Sequence, residues 1–357
     1  MVVVPPGSTI GIVGGGQLGR MLAVAAAQLG YKCHVYAPDE TPPAAEVAAA
    51  FTRGAFDDAE AIARFGRAID VATFEFENVP AAALDALKAE VSLFPPIAAL
   101  DIAQDRLSEK EFVLGLGGRA APFAAVGSRP ALADAIDRIG TPAILKTRRL
   151  GYDGKGQVRI DARDQSDAAW AEVGGTASIL EGFVAFDAEF SILLCRGADG
   201  DTRCWDAPHN LHSGGILDRS IVPAPVGLAP AIAAAETLSR RIADALDYVG
   251  TIAFEFFAVG DDALFNEMAP RVHNSGHWTI EGALTSQFEN HIRAICGLPL
   301  GATDRVGARV EMRNLIGTDV DEWPALLADP SAHLHLYGKK NARPGRKMGH
   351  VTRLLGA

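Results

Sequence analysis

The chain has 357 residues, more than one hydrophobic core usually serves, so two or three domains are expected. Its composition is ordinary for a globular protein, but Lys plus Arg number 33 against 44 Asp plus Glu, a formal net charge of -11. That acidity argues against nucleic acid as a partner and leaves small anions open, since local basic clusters still bind them. No apolar run approaches the roughly 20 residues of a membrane span, and Met-Val-Val-Val-Pro-Pro at the start lacks the basic region and long apolar stretch of a signal peptide. Cys33, Cys195, Cys204 and Cys296 show no Cys-x-x-Cys spacing and read as free thiols in a reducing compartment. A cytoplasmic protein with small-molecule ligands is expected.

Residues 9–13 form a short apolar run that breaks into Gly14-Gly15-Gly16. Helical spacing follows over 18–29, stopped by Gly30, and 32–36 reads as a second strand. The alternation continues with a helix near 59–68, a strand at 70–76, a helix near 80–89 and a strand at 91–94, closed by Pro95-Pro96. A parallel α/β domain ending near residue 100 is expected. Beyond it, 105–114 is helical, glycine loops interrupt strands at 115–118 and 150–156, and 177–205 alternates like antiparallel strands. A long helix over 229–247 precedes a hairpin of 251–259 and 263–268, and a mixed tail after Leu298 carries a basic stretch, 339–353.

Gly14-Gly15-Gly16-Gln17-Leu18-Gly19 fits G-x-G-x-x-G between a strand and a helix, and Asp39 stands about 20 positions on, as in dinucleotide sites. Glycines permit the tight turn, and the helix N-terminus offers N–H groups to an anion. On this segment alone, nicotinamide binding and plain phosphate binding are equally open.

Three further clusters point to a nucleoside triphosphate. A strand over 143–147 carries Lys146 and runs into Arg148-Arg149-Leu150-Gly151-Tyr152-Asp153-Gly154-Lys155-Gly156-Gln157. Three glycines in six residues with flanking cations suit a flap over phosphates; a solvated surface hairpin is the plain alternative. Next, Glu181-Gly182-Phe183-Val184 ends a strand whose edge suits adenine, with Glu189 placed for ribose hydroxyls. Third, a hairpin centred on Asp261 sets Glu255 directly opposite Glu267 among apolar neighbours. Opposed buried carboxylates need neutralising, and hard oxygen ligands select Mg²⁺. Asn266 points the other way on an ideal strand, so its use as a ligand needs a local twist. Just downstream, Arg271 suits a planar bidentate anion, and His273 and Asn274 suit orientation of a nucleophile.

These residues resemble the ATP-grasp superfamily, and within it the 5-(carboxyamino)imidazole ribonucleotide synthases of purine biosynthesis. The resemblance spans nearly the whole chain through 14–21, 74–79, 104–106, 146–157, 181–184 and 266–277. It implies an N-terminal parallel, Rossmann-like pre-ATP-grasp domain (1–100) for the ribonucleotide, an ATP-grasp domain of two α+β subdomains (101–297) for MgATP, and a small mixed C-terminal domain (298–357) completing the substrate site. Arg106, Lys146 and the loop Gly151, Tyr152, Asp153, Gly154, Lys155, Gly156, Gln157 are expected at the phosphates. Glu181, Gly182, Phe183 and Val184 are expected at adenine, Glu189 at the ribose, and His212, Asn266 and Glu267 lining the nucleotide pocket. Glu255 and Glu267 would hold Mg²⁺; Gln17, Leu18, Glu77, Tyr152, Arg271, His273, Asn274, Lys347 and Arg353 would take the ribonucleotide. Lys146, Arg271, His273 and Asn274 form the expected catalytic set, in a homodimer that joins ATP, bicarbonate and 5-aminoimidazole ribonucleotide.

Three other readings stay open at this level. A related ATP-grasp ligase, such as formate-dependent glycinamide ribonucleotide transformylase or biotin carboxylase, shares the nucleotide machinery. An NAD-dependent oxidoreductase explains residues 14–19 and Asp39 but leaves Glu255 and Glu267 idle. A nucleotide-sensing module would bind ATP without turnover.

Overall fold

The computed structural model describes residues 2–151 and 156–356. Strand β1 (Thr9–Val13) leads through the glycine turn into helix α1 (Gln17–Gln28), then β2 (Lys32–Ala37), β3 (Ala50–Arg53), α2 (Ala59–Gly66), β4 (Val71–Phe74) and α3 (Ala81–Lys88). The four strands are parallel in the order β3-β2-β1-β4. Two departures from the sequence reading stand out. Residues 50–53 form an edge strand whose alternation is too short to detect, while 91–94 makes only a single parallel bridge, Leu93 to Ala72. The sheet is covered on one face by α2 and α3 and on the other by α1, whose Met21, Leu22 and Ala25 pack with Phe288, Ile292 and Ile295 from far along the chain.

Helices α4 (Ile97–Ala103) and α5 (Arg106–Gly115) lead to β5 (Phe123–Val126), α6 (Arg129–Ile139), β6 (Ala143–Thr147), β7 (Gln157–Ile160), α7 (Ser166–Glu172) and β8 (Ser178–Gly182). These strands make a small antiparallel sheet, β5-β8-β6-β7, backed by α6 and α7. Then follow β9 (Ala188–Arg196), β10 (Thr202–Cys204), β11 (His209–Ser213), β12 (Ile216–Val222), α8 (Ala229–Ala245), β13 (Gly250–Val259), β14 (Asp262–Ala269), α9 (Thr279–Gly282) and α10 (Gln287–Ile295). The tail holds β15 (Arg309–Ile316), α11 (Trp323–Ala328), β16 (Ala332–Leu336) and β17 (Lys347–Leu355). Its strands continue the large sheet, β14-β13-β9-β11-β12-β15-β17-β16, with β10 beside β9.

The large sheet separates two environments. One face carries Phe190, Ile192, Leu194, Phe254 and Phe256 against α8 and α5. The other carries a polar row across neighbouring strands, formed by Ser220, Asn210, Ser191, Glu255 and Glu267. No described helix is long and apolar enough to cross a membrane.

His291 on α10 ties the first domain to this sheet. The Thr251 backbone N–H donates to its Nδ1 at 3.1 Å, so its Nε2–H donates to Thr73 Oγ1 at 2.9 Å. Burial pulls its pKa down to about 3. The unfolded histidine takes a proton below about 6.5 while the folded one resists until about 3. Its contribution is therefore complete above pH 6.5 and is lost as pH falls toward 3. Urea unfolding at pH 7.5 and pH 4.5 should show wild-type stability dropping, with His291→Leu less stable at pH 7.5 but flatter by up to about 1.4 kcal/mol per pH unit.

Candidate functional site

The site lies where α5, the small sheet and the open face of the large sheet meet. Its geometry turns on the β13–β14 hairpin. At the tip, Val259 pairs with Asp262 around the two residues Gly260 and Asp261, a register that would place Glu255 opposite Asn266. A β-bulge between Glu255 and Phe256 inserts one residue, Asn266, in β14, and the pairing becomes Glu255 with Glu267. The sequence reading centres the turn one step off and reaches the same pair; the bulge reconciles the two. It also supplies the twist that Asn266 needs. Asn266 lines a crevice with Glu189, Asn210, His212 and Glu255, and its Oδ1 is buried without a partner.

Burial and the neighbouring Glu267 push the Glu255 carboxyl up to about 7, so the pair resists holding two charges unaided. For Glu267, burial acts in the same direction, but the Arg106 guanidinium, 2.9 Å away, outweighs it and holds the carboxyl below its usual range. Two opposed carboxylates and an orphaned amide oxygen are a hard-oxygen donor set that fits Mg²⁺. Among the described residues no three carboxylate, imidazole or thiol groups are grouped as a metal site.

Facing these acids are cations from two elements. Asp105 caps α5, accepting from Leu107 and Ser108, and Arg106 is the first helical residue. One turn on, Lys110 donates to the Asn266 carbonyl at 2.9 Å, beside the bulge, and reaches Glu181 at 3.3 Å. Lys146 on β6 donates to the other Glu181 oxygen at 2.8 Å. Burial alone would raise Glu181, but Lys146 and Lys110 outweigh it and bring the carboxyl to about 2. The Glu181 side chain thus neutralises lysines, which leaves the adenine expected there to the backbone. Gly182 and Phe183 have their N–H groups bound to the carbonyls of Pro122 and Pro142, and Val184 lies on the connection between the two sheets. Lys110 escapes the sequence reading; its signal is the i, i+4 spacing from Arg106, which puts both cations on one helix face.

In the flap, Tyr152, Asp153, Gly154 and Lys155 lie outside the described residues, and Gly151, Gly156 and Gln157 bound them. Gly156 adopts φ +71, and a Cβ there would meet Thr147 Oγ1 at 2.7 Å, so glycine is required where the flap rejoins the sheet. Arg148 and Arg149, expected as open cations, both pair with Asp105. Glu189 pairs with His212 across the crevice.

Among the residues expected at the ribonucleotide, Arg271 reaches Glu77 at 3.0 Å, joining the glycine-loop domain to the hairpin, and Gln104 holds the carbonyls of Glu77 and Val79. Gln17 opens α1, and Leu18 is buried beneath it. Glu75, between the expected residues 74 and 77, fills the glycine turn. Gly16 N–H donates to its carboxyl at 2.6 Å, and burial raises its pKa. A carboxyl in that seat occupies the place of a dinucleotide pyrophosphate, which counts against the nicotinamide reading.

His273 sits 3.5 Å from Glu255, and burial, then Arg271 and Lys347, hold its pKa well below the usual value. Asn274 exchanges two amide hydrogen bonds with Asn314 of β15, so its side chain links the loop to the tail. Lys347, near enough to act on Glu255, His212 and His273, has its carbonyl bound by Lys339. Arg353 is not brought to this group; it donates to Asp329 at 3.0 Å, six positions and about 20 Å along β17 from Lys347.

Comparison with known proteins accords with this geometry. Residues 8–104 match the ribonucleotide synthetase preATP-grasp domain, 112–288 the ATP-grasp domain, and 311–356 the phosphoribosylaminoimidazole carboxylase C-terminal domain. The N5-carboxyaminoimidazole ribonucleotide synthase of Brucella melitensis is 50% identical over 352 residues, 98% of this chain and 97% of that protein. The enzyme of the same name from Pseudomonas aeruginosa is 46% identical, covering 96% and 93%. Among solved structures, the N5-carboxyaminoimidazole ribonucleotide synthetase of Thermus thermophilus superposes with a TM-score of 0.91 at 47% identity, covering 98% and 94%. The Aspergillus clavatus synthase in complex with ADP and 5-aminoimidazole ribonucleotide does so with a TM-score of 0.91 at 30% identity, covering 98% and 94%. The chain belongs to the N5-carboxyaminoimidazole ribonucleotide synthase family of ATP-grasp enzymes.

Proposed function

We propose that the chain uses ATP to carboxylate 5-aminoimidazole ribonucleotide with bicarbonate, giving N5-carboxyaminoimidazole ribonucleotide, ADP and phosphate, a step of purine biosynthesis. The observation that carries this reading is the meeting of three cations, Arg106, Lys110 and Lys146, with the Glu255–Glu267 pair, while Arg271 and Glu77 join that cluster to the glycine-loop domain. The names of the relatives and the Aspergillus clavatus complex support the substrate assignment. Free thiols and the resemblance fit a cytoplasmic homodimer.

Bicarbonate is a poor electrophile, and phosphorylation to carboxyphosphate gives it a leaving group. Mg²⁺, held by Glu255 and Glu267 with Asn266 beside them, would neutralise charge on the transferring phosphoryl group. Lys146 and Arg106 are bound to carboxylates in the free protein, and triphosphate oxygens would take up those same donors. The flap around Gly151 and Gly156 would exclude water from the acyl phosphate. Arg271, His273 and Asn274 would orient bicarbonate and the attacking amine, Glu189 and His212 would face the ribose of ATP, and Gln17, Leu18, Glu77 and Tyr152 would face the ribonucleotide. Lys347 is the candidate for its 5′-phosphate; Arg353 serves that group only by leaving Asp329.

A coupled ADP assay with MgATP, labelled bicarbonate and 5-aminoimidazole ribonucleotide should show ADP release that requires the ribonucleotide, with label trapped on its amine. Turnover only with glycinamide ribonucleotide and formate would move the chain to another ATP-grasp reaction. Glu267→Gln is expected to lower turnover at least about a hundredfold, partly restored by excess Mg²⁺. In the same assay Lys347→Ala should raise the ribonucleotide KM about tenfold while the ATP KM stays within twofold; an unchanged ribonucleotide KM would remove Lys347 from the site.

A further inference from the structure

The polar row on the open face of the large sheet is a connected chain that ends on His273. Ser220 Oγ lies 2.8 Å from Asn210 Oδ1, Asn210 Nδ2 lies 3.1 Å from Ser191 Oγ, and Ser191 Oγ lies 2.7 Å from Ser275 Oγ. Ser275 Oγ in turn lies 2.9 Å from His273 Nδ1. Ser220, Ser191 and Ser275 are fully buried and Asn210 nearly so. Such groups are costly to bury, and none of them is needed for the apolar core on the opposite face.

The direction of the chain follows from one donor that has no choice. The Ser275 backbone N–H points at His273 Nδ1, 3.3 Å away, and an amide N–H only donates. Nδ1 is therefore an acceptor and carries no proton, and the ring's hydrogen is on Nε2, the atom facing Glu255 at 3.5 Å. The Ser275 hydroxyl then donates to Nδ1 and accepts from Ser191, which accepts from the Asn210 amide, whose oxygen accepts from Ser220. Gln287 fixes the backbone of the same histidine, accepting from His273 N–H at 2.9 Å and donating to its carbonyl at 2.6 Å.

We propose that Ser191, Asn210, Ser220 and Ser275 are positioning residues: the Ser275 backbone N–H sets the His273 tautomer, and the side-chain chain holds the ring so that Nε2–H stays turned to the acidic side of the site, where the reacting anion would sit. The choice matters chemically. An imidazole that donates at Nε2 stabilises an oxygen of bicarbonate or carboxyphosphate, whereas the other tautomer would present a lone pair to it and repel it. The inference rests on the placing of His273 among the reacting groups, and the experiment separates the two.

Nitrogen-15 NMR of histidine-labelled protein, with the His273 signals assigned by their loss in His273→Gln, should show one Nε2–H tautomer in the wild type. Ser191→Ala and Ser275→Ala should keep that tautomer, which the Ser275 backbone N–H enforces, but shift the His273 Nδ1 signal and give about a tenfold fall in kcat for ribonucleotide-dependent ADP release, with the ATP KM within twofold. Ser275→Thr, which keeps the hydroxyl, should restore both. ADP affinity, measured on each variant, reports that the fold is intact. An unshifted Nδ1 signal and wild-type kcat in both alanine variants would overturn the proposal while a slow His273→Gln left the histidine in the reaction. Wild-type kcat in His273→Gln would instead overturn the placing of the histidine itself.

Discussion

Asn266 is the residue that β14 has in excess of β13, and the electrostatics of the site follow from that surplus. Were Asn266 paired with Glu255 in continuous register, Glu267 would fall opposite Phe254 on the apolar face. With Asn266 as the surplus, two carboxylates share one half-buried row, and both then demand compensation. Arg106 meets one of them, and Lys110 secures the carbonyl of the surplus residue itself. The bulge and the first turn of α5 are therefore one structural unit.

The cations are compensated in turn. Lys146 and Lys110 share Glu181, and Arg148 and Arg149 share Asp105. The lysine pairs with Glu181 are buried; such a pair contributes little net stability, but removing one partner leaves an uncompensated charge, typically at about 3–5 kcal/mol. The protein thus holds these donors against its own acids, and under the proposed function a triphosphate would exchange one set of oxygens for another without facing bare charge.

How much of this can be read from the residues divides along physical lines. The glycine turn, the parallel domain and the Glu255–Glu267 opposition are legible, because strand alternation and turn residues are local signals. Strand β3 is not, because four residues at a sheet edge carry too little periodicity, and 91–94 has strand-like residues without a full partner. Lys110, Glu75, Ser191 and Asn210 stay hidden for another reason: each gains its meaning from a partner more than 15 positions away. The standing of Arg353 is likewise invisible, since Asp329 claims it only once α11 folds against β17.

The order of strands in the large sheet has a consequence for how the chain is made. The parallel sheet is complete once Phe74 has been synthesised, and it is built from neighbours in sequence apart from the crossing of β1 to β4. The large sheet closes in the opposite sense. Strand β17, the last of its strands to leave the ribosome, lies between β15 and β16, and both must wait for it with exposed edges. The nascent protein therefore carries a complete parallel sheet beside an open antiparallel edge until β17 arrives, and in that interval the edge is the surface most open to wrong pairing.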